Sequence, residues 1–384
     1  MPSDAKESFI PLSAPDLSGN EAAYLAECIS TNWVSSAGPF VGRFEKIVAD
    51  FVGAPHSVAT ATGTAALHLA LIVAGVRPGD EVLVSTLSFI APANAIRYVG
   101  AYPVFVDADP NDWQMDVGLA VDFLKNGCEK RADGVFNKQT GRRIGAVLPV
   151  HILGSAVNLP PLLDVTRSLG VPLIEDATEG LGARYEGRFL GTLGDIGCFS
   201  FNGNKLVTSG GGGMVVTPDT QWFEKAAHLS TQAKADPIES IHDDIGFNYR
   251  LTNIQAAVGC AQMERIDQFI AARRDIAAQY AEFCKTVDFL NFMPIPKNVE
   301  AVNWLSAVLI KNNSRIEIAE KLRQEGIETR PLWQPLHRSP AHQDSVVLGG
   351  DNAEKIQKSA LCLPSSSTLL SSEISKIIKI LSLD

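Results

Sequence analysis

The sequence predicts an α/β fold, a largely parallel sheet with helices on both faces, followed by a smaller α+β domain. Three observations carry this. Short apolar runs rich in Val and Ile recur along the first two thirds of the chain, as strands buried on both faces require. Longer stretches with helical apolar spacing separate them. At 384 residues the chain exceeds one typical core, which implies two domains, residues 1–260 and 261–384.

In chain order, the runs 81–86, 102–106, 145–150, 171–176, 196–201 and 213–216 read as strands, each compact, apolar and bounded by polar or turn-forming residues. Residues 64–73 have the apolar density of a buried helix, and 91–99 and 161–169 read as further helices. The segment 125–143 is polar and turn-rich, so it reads as a surface insertion. Residues 251–287 read as one long amphipathic helix connecting the two domains. Beyond it the composition shifts toward Lys, Ile and Ser, with a strand at 302–310 and helices at 316–325 and 353–359. There is no internal repeat.

Composition narrows the function classes. Hydrophobic residues make up 46% and charged residues 20%, which is ordinary for a globular chain. A formal charge of −10 argues against a general nucleic-acid or anionic-membrane surface. Any anionic ligand must then be held by specific groups. Cys28, Cys128, Cys198, Cys260, Cys284 and Cys362 show no C-x-x-C spacing, so neither a metal site nor a disulfide framework is expected. Residues 1–8 carry charges where a signal peptide needs an apolar run, and no apolar stretch reaches membrane-spanning length. A cytoplasmic location is the expectation.

The chemistry concentrates around one lysine. Ser200, Phe201, Asn202, Gly203, Asn204 and Lys205 follow an apolar strand and precede Ser209 and the glycines 210–213. About thirty residues earlier, another apolar strand ends in Glu175 and Asp176. A strand that delivers a carboxylate, followed by a lone lysine, suggests pyridoxal phosphate chemistry. The lysine would form an imine with the cofactor aldehyde, and the carboxylate would keep the pyridine nitrogen protonated. A solvated turn lysine is the competing reading.

Each supporting residue carries two readings. Thr62, Gly63, Thr64 and Ala65 open a helix whose free amides suit a phosphate, or they form a plain N-cap. Phe89 lies at the carboxyl edge of the sheet, where it either stacks on a planar ring or fills the core. Asp176 partners a pyridinium N–H or caps the following segment, and Glu179 approaches the cofactor's phenolic oxygen or completes a capping box. Asn248 and Arg250 are phosphate or carboxylate binders, or parts of a turn.

Together these pieces resemble the DegT/StrS family of pyridoxal-phosphate-dependent nucleotide-sugar aminotransferases, from about Ile10 to the C-terminus. The resemblance rests on elements in order: Trp33-Val34-Ser35 with Gly38-Pro39; Thr62-Gly63-Thr64-Ala65; Gly79-Asp80-Glu81-Val82; Pro149-Val150-His151; Glu175-Asp176-Ala177; Ser200-Phe201 with Lys205; Asn248-Tyr249-Arg250-Leu251; and Pro335-Leu336-His337. It implies the aspartate-aminotransferase type of fold (fold type I), with a mainly parallel mixed sheet, a small C-terminal domain and a homodimer with shared active sites.

By position, Lys205 resembles the Schiff-base lysine, Asp176 the pyridine-nitrogen partner, Phe89 the stacking aromatic and Glu179 the neighbour of the ring oxygen. Thr64, Ala65 and Ser200, beside Gly63, would hold the phosphate of pyridoxal 5'-phosphate. Asn248 is similar to an asparagine contributed to the other subunit's phosphate. Trp33, Ser35, His151, Arg250, Arg330 and His337 are candidates for the substrate pocket. Where Glu179 stands the family often has Gln or another polar residue, and two acceptors there would repel unless one carries a proton.

The 125–143 insertion and the wording around Lys205 look most like the branch acting on UDP-4-keto-6-deoxy-N-acetylhexosamines, in lipopolysaccharide or O-antigen amino-sugar pathways. The expected reaction uses L-glutamate as amino donor and yields the 4-amino sugar. A 3-keto sugar aminotransferase and a sugar dehydratase of the same fold are the alternatives. The dehydratase carries histidine where Lys205 stands. A nicotinamide oxidoreductase would need a Gly-x-Gly-x-x-Gly turn after the first strand, whereas glycines 210–213 lead from one strand into another. A pyridoxal-binding regulator would need an appended basic helix-turn-helix, which this sequence lacks.

Overall fold

A computed structural model describes residues 9–236, 238–311 and 314–382. Seven strands of the first part are β1 His56–Thr60, β2 Glu81–Ser85, β3 Tyr102–Val106, β4 Ile144–Leu148, β5 Ile174–Asp176, β6 Ile196–Ser200 and β7 Gly213–Thr217. Five more follow: β8 Leu290–Phe292, β9 Ser306–Ile310, β10 Arg330–Pro331, β11 Val346–Leu348 and β12 Ala360–Leu363. The ladders run β1-β7-β6-β5 and β4-β2-β3-β11. Parallel bridges from Val147 to Leu173 and from Val150 to Asp176 join them into one sheet. Strand β7 is antiparallel to both neighbours, and the other neighbouring pairs are parallel.

Alternation along the strands explains the layering. On β2, Leu83 joins one apolar cluster while Val82 and Val84 join the other, because successive side chains leave opposite faces. Both faces are therefore covered. The helix Gly63–Val73 is buried along nearly its whole length, which is why its sequence carries so little polar character. Thr62 caps it, its hydroxyl accepting the Ala65 N–H at 3.0 Å.

The second sheet, in the order β8-β9-β12-β10, is antiparallel throughout. With the helices Ile266–Cys284, Arg315–Gln324 and Ser371–Leu381 it encloses its own apolar cluster. The chain crosses between the two parts more than once: β11, late in the sequence, pairs with β3 of the large sheet, and Ile10 bridges to Ile327.

Several elements differ from the sequence expectation. The strand β1 has no counterpart there, because His56-Ser57-Val58-Ala59-Thr60 is half polar and sits at the sheet edge. Strand β5 begins at Ile174 rather than 171, since Pro172 has no N–H to give a ladder. The single helix expected at 251–287 is two, Asn253–Met263 and Ile266–Cys284. Charge holds the break: Glu264 accepts from Asn20, Tyr24 and Arg43, while Arg265 pairs with Asp16 at 2.8 Å. Within the 125–143 insertion, Cys128–Arg131 and Gly134–Asn137 form an antiparallel hairpin. Asn137 anchors it, donating to Glu81 at 2.8 Å.

Candidate active site

The carboxyl ends of β2, β5 and β6 open into a cavity of about 580 Å³, a volume suited to a cofactor and part of a substrate. Gly63, Thr64, Phe89, Asp176, Glu179, Ser200, Lys205 and Arg330 all line it. They come from five separate stretches of the chain: four follow strands that end on the same edge of the large sheet, and Arg330 comes from β10 of the second sheet.

Asp176 is 1% exposed. Thr178 is its hydrogen-bond partner, the backbone N–H standing 3.1 Å from Oδ1. Burial pushes its pKa up, and the hydrogen bonds from Thr178 and the charge of Lys205 oppose that rise. A carboxyl at the wall of a cavity, short of donors, fits a ligand N–H or a cation. Its neighbour on β5, Glu175, is fully enclosed and differently placed. It accepts from Gly191, Leu193 and Gly194 N–H groups at 2.6–2.8 Å and from His151 Nε2 at 3.0 Å.

Lys205 Nζ lies 3.4 Å from Glu179 Oε1 and 4.0 Å from the centre of the Trp304 ring. Glu179 Oε2 accepts the Leu153 N–H at 2.7 Å. Burial raises the Glu179 pKa, and the Lys205 charge works against it. The helix start at Gly63 presses on Ser200 so closely that a Cβ at position 63 would stand 2.8 Å from the Ser200 Cβ. Glycine is thus required there, and it brings first-turn N–H groups, which lack intrahelical acceptors, beside the Ser200 hydroxyl. Such a cradle favours a phosphate. Phe89 is 55% exposed and so is not part of the core. A buried acid, a phosphate cradle, an available ring face and a lysine in one cavity fit pyridoxal phosphate.

Other expected residues stand elsewhere. Ala65 is buried behind the cradle, bonded to its cap. His151, expected at the substrate pocket, is fully enclosed: Val157 N–H donates to its Nδ1 at 3.1 Å, leaving Nε2–H for Glu175. It is outside the cavity lining because it is consumed in holding a buried acid. Arg250 is engaged by both oxygens of Glu45. His337 bonds Thr86 at 2.7 Å and Glu354 at 3.3 Å. Trp33, Ser35 and Asn248 are exposed and do not line their own chain's cavity. Sequence reasoning missed Trp304, Trp333 and Asn204, which do line it. No spacing ties a tryptophan a hundred residues downstream to Lys205.

With the geometry in place, comparison with known proteins decides the family. The profile of the DegT/DnrJ/EryC1/StrS aminotransferase family matches residues 15–382. The chain belongs to that family. It is a pyridoxal phosphate-dependent sugar aminotransferase of fold type I. EpsN of Bacillus subtilis (strain 168) is 38% identical over 97% of this chain and 95% of its own. The GDP-perosamine synthase of Caulobacter vibrioides is 36% identical over 96% of each. Among solved structures, the aminotransferase TlmJ from Streptoalloteichus hindustanus superposes with a TM-score of 0.87 at 29% identity, covering 97% of this chain and 98% of that one.

Proposed function

We propose that the enzyme moves an amino group from L-glutamate to a nucleotide-linked 4-keto-6-deoxy sugar, with UDP-4-keto-6-deoxy-N-acetylhexosamine as the substrate, giving the 4-amino sugar. The observation that carries the reading is the convergence of Lys205, Glu179 and Asp176 on one cavity that also holds the Gly63–Ser200 cradle and the Phe89 ring. Pyridoxal phosphate supplies an aldehyde that captures amines and a ring that accepts the electrons left when a carbon is deprotonated.

The chain's own residues do the rest. Gly63, Thr64 and Ser200 would hold the phosphate, Phe89 would cover one ring face, and the Asp176 carboxylate would hold a proton on the ring nitrogen. Lys205 Nζ takes the proton from the donor's α-carbon, and in the second half-reaction it returns a proton to the sugar carbon. Positioned proton transfer of this kind contributes about 10²- to 10⁴-fold. Among the described residues lining the cavity, Arg330 is the cation besides Lys205. It is placed to meet a donor carboxylate or a sugar-nucleotide diphosphate. Exposed Trp33 and Asn248, outside their own cavity, suit a homodimer in which a second copy completes the site. Among the described residues no helix is long and apolar enough to cross a membrane.

The test combines product and adduct. Purified enzyme with L-glutamate and a panel of UDP-, dTDP- and GDP-linked 4-keto and 3-keto sugars should aminate the UDP-4-keto substrate fastest, read by mass. Borohydride should fix the cofactor on the peptide containing Lys205, and Lys205→Ala should abolish both the adduct and turnover. An adduct elsewhere, or an active alanine variant, defeats the lysine assignment. Preference for another nucleotide or for a 3-keto sugar defeats the substrate.

A further inference from the structure

Trp304 occupies a position that the proposed chemistry does not yet use. Its ring face lies 4.0 Å from Lys205 Nζ, well within the range at which an ammonium is attracted to an indole. Its edge is fixed as well: Nε1–H donates to the Asn204 carbonyl at 2.7 Å, and Asn204 immediately precedes Lys205. The same carbonyl accepts the Ser13 hydroxyl at 2.9 Å. The loop bearing the lysine is thus tied to the indole that its amine touches.

Behind the indole stands an unusual support. Arg273 is 2% exposed, and no carboxylate pairs with it among the described ion pairs. Its guanidinium instead donates to the Trp304 carbonyl and, at 3.1 Å, to Ser13 Oγ. Arg273, Ser13, Asn204 and Trp304 therefore close a ring of hydrogen bonds. Burial alone lowers the arginine's pKa to about 10, so these contacts, and not a counter-charge, offset part of the cost of enclosing it. The chain also turns sharply into this position. Asn303 has φ of +50°, a conformation asparagine tolerates better than most residues. Gly154, with φ of +81°, lies so close that a Cβ there would stand 2.8 Å from the Trp304 N.

We propose that Trp304 is a receiving surface for the Lys205 amine once that amine has left the cofactor, and that it holds the amine's protonated form between the indole face and Glu179. The inference rests on the reading of Lys205 as the cofactor-bonding lysine and adds what happens to it during turnover. While free, the amine accepts the proton removed from a substrate carbon, becomes an ammonium and later gives a proton back. No net proton is gained over the two half-reactions. An ammonium in a largely apolar cavity needs partners, and Glu179 and the ring supply them from two directions without a strong covalent or bidentate trap. The amine stays within reach of the reacting carbon instead of swinging into solvent.

The test uses full-length apoprotein and reads the chemical reactivity of the amine. Competitive acetylation near neutral pH, followed by peptide mass analysis, gives the rate at Lys205 relative to exposed Lys225. Trp304→Leu removes the ring, whereas Trp304→Phe keeps a ring face but loses the Nε1–H bond to Asn204. The leucine variant should acetylate at Lys205 roughly three- to tenfold faster than wild type, and the phenylalanine variant should stay near the wild-type rate. Trp304→Met takes the place of leucine if that variant fails to fold by circular dichroism. An unchanged rate without the ring overturns the proposal. Equal acceleration in the phenylalanine variant overturns it too, because the hydrogen bond alone would then account for the effect. Since no cofactor is present, this result stands apart from the borohydride experiment, whose failure would strike the lysine assignment itself.

Discussion

Glu175 and Asp176 are consecutive on β5, and the strand sends them to two regions of opposite character. Glu175 points into the packed layer, where three backbone N–H groups and one imidazole N–H saturate its oxygens. Asp176 points to the cavity with Thr178 as its partner and with its charged form disfavoured by burial. Both are buried acids, so burial does not separate structural from functional carboxylates. Donor supply does: a saturated carboxylate has no capacity left for a ligand, whereas an under-supplied one at a cavity wall is complete only when something binds.

Removing each charge in turn should therefore give opposite signatures. Asp176→Asn should lower kcat by about 10²- to 10³-fold, the usual loss when a charge-stabilising group is removed from an active site, while apoprotein stability holds or rises. Steady-state transamination and thermal melts of the apoprotein check both halves together. Glu175→Gln should do the reverse. With His151 Nε2–H and three amide donors left facing a neutral amide, unfolding free energy should drop by about 1–3 kcal/mol, measured by urea denaturation, with kcat per folded molecule retained. If Glu175→Gln abolishes turnover without destabilising the protein, the contrast between the two acids is wrong.

The same contrast explains what could be read in advance. The strand ends, the Gly63 helix start and the Lys205 loop are local patterns, each contained in a dozen residues, and the apolar runs place them on one sheet edge. Glu175 and Asp176 could not be told apart in that way, because the donors that saturate Glu175 come from 191–194 and from His151. His151 itself looked like a substrate group: a histidine after an apolar strand carries no sign of whether a carboxylate waits for it inside. Arg250 and His337 were opaque for a related reason, since Glu45 and Glu354, their partners, lie 205 and 17 residues away. Trp304 was invisible because its meaning depends on how the second part of the chain, by way of Arg273, folds back against the lysine loop. The extended helix at 251–287 failed on charge, where Glu264 and Arg265 found partners near the N-terminus.

The smallest effect is also the one that isolates the environment of Asp176. Burial raises its pKa in the folded apoprotein above the ordinary value of 3.8, so the folded state holds this proton more tightly than the unfolded chain does. The stability linked to that proton is fully present below 3.8 and is lost as pH rises through the folded-state value. Asp176→Asn cannot titrate there and escapes the loss. The melting temperature of the asparagine variant should consequently exceed that of wild-type apoprotein near neutral pH, and the gap should narrow as acidification toward about pH 4 protonates Asp176 in the wild type. Glu179 has the same sign, and because the Asp176 charge helps to raise it, its removal in the asparagine variant widens the gap in the same direction. Adding pyridoxal phosphate should invert the order, because a ring N–H donated to Asp176 favours the ionised carboxylate that burial opposes. Scanning calorimetry of both proteins across that range, with and without the cofactor, decides the matter. A gap that ignores pH, or one that cofactor leaves unchanged, would mean that this acid is as well supplied as its neighbour.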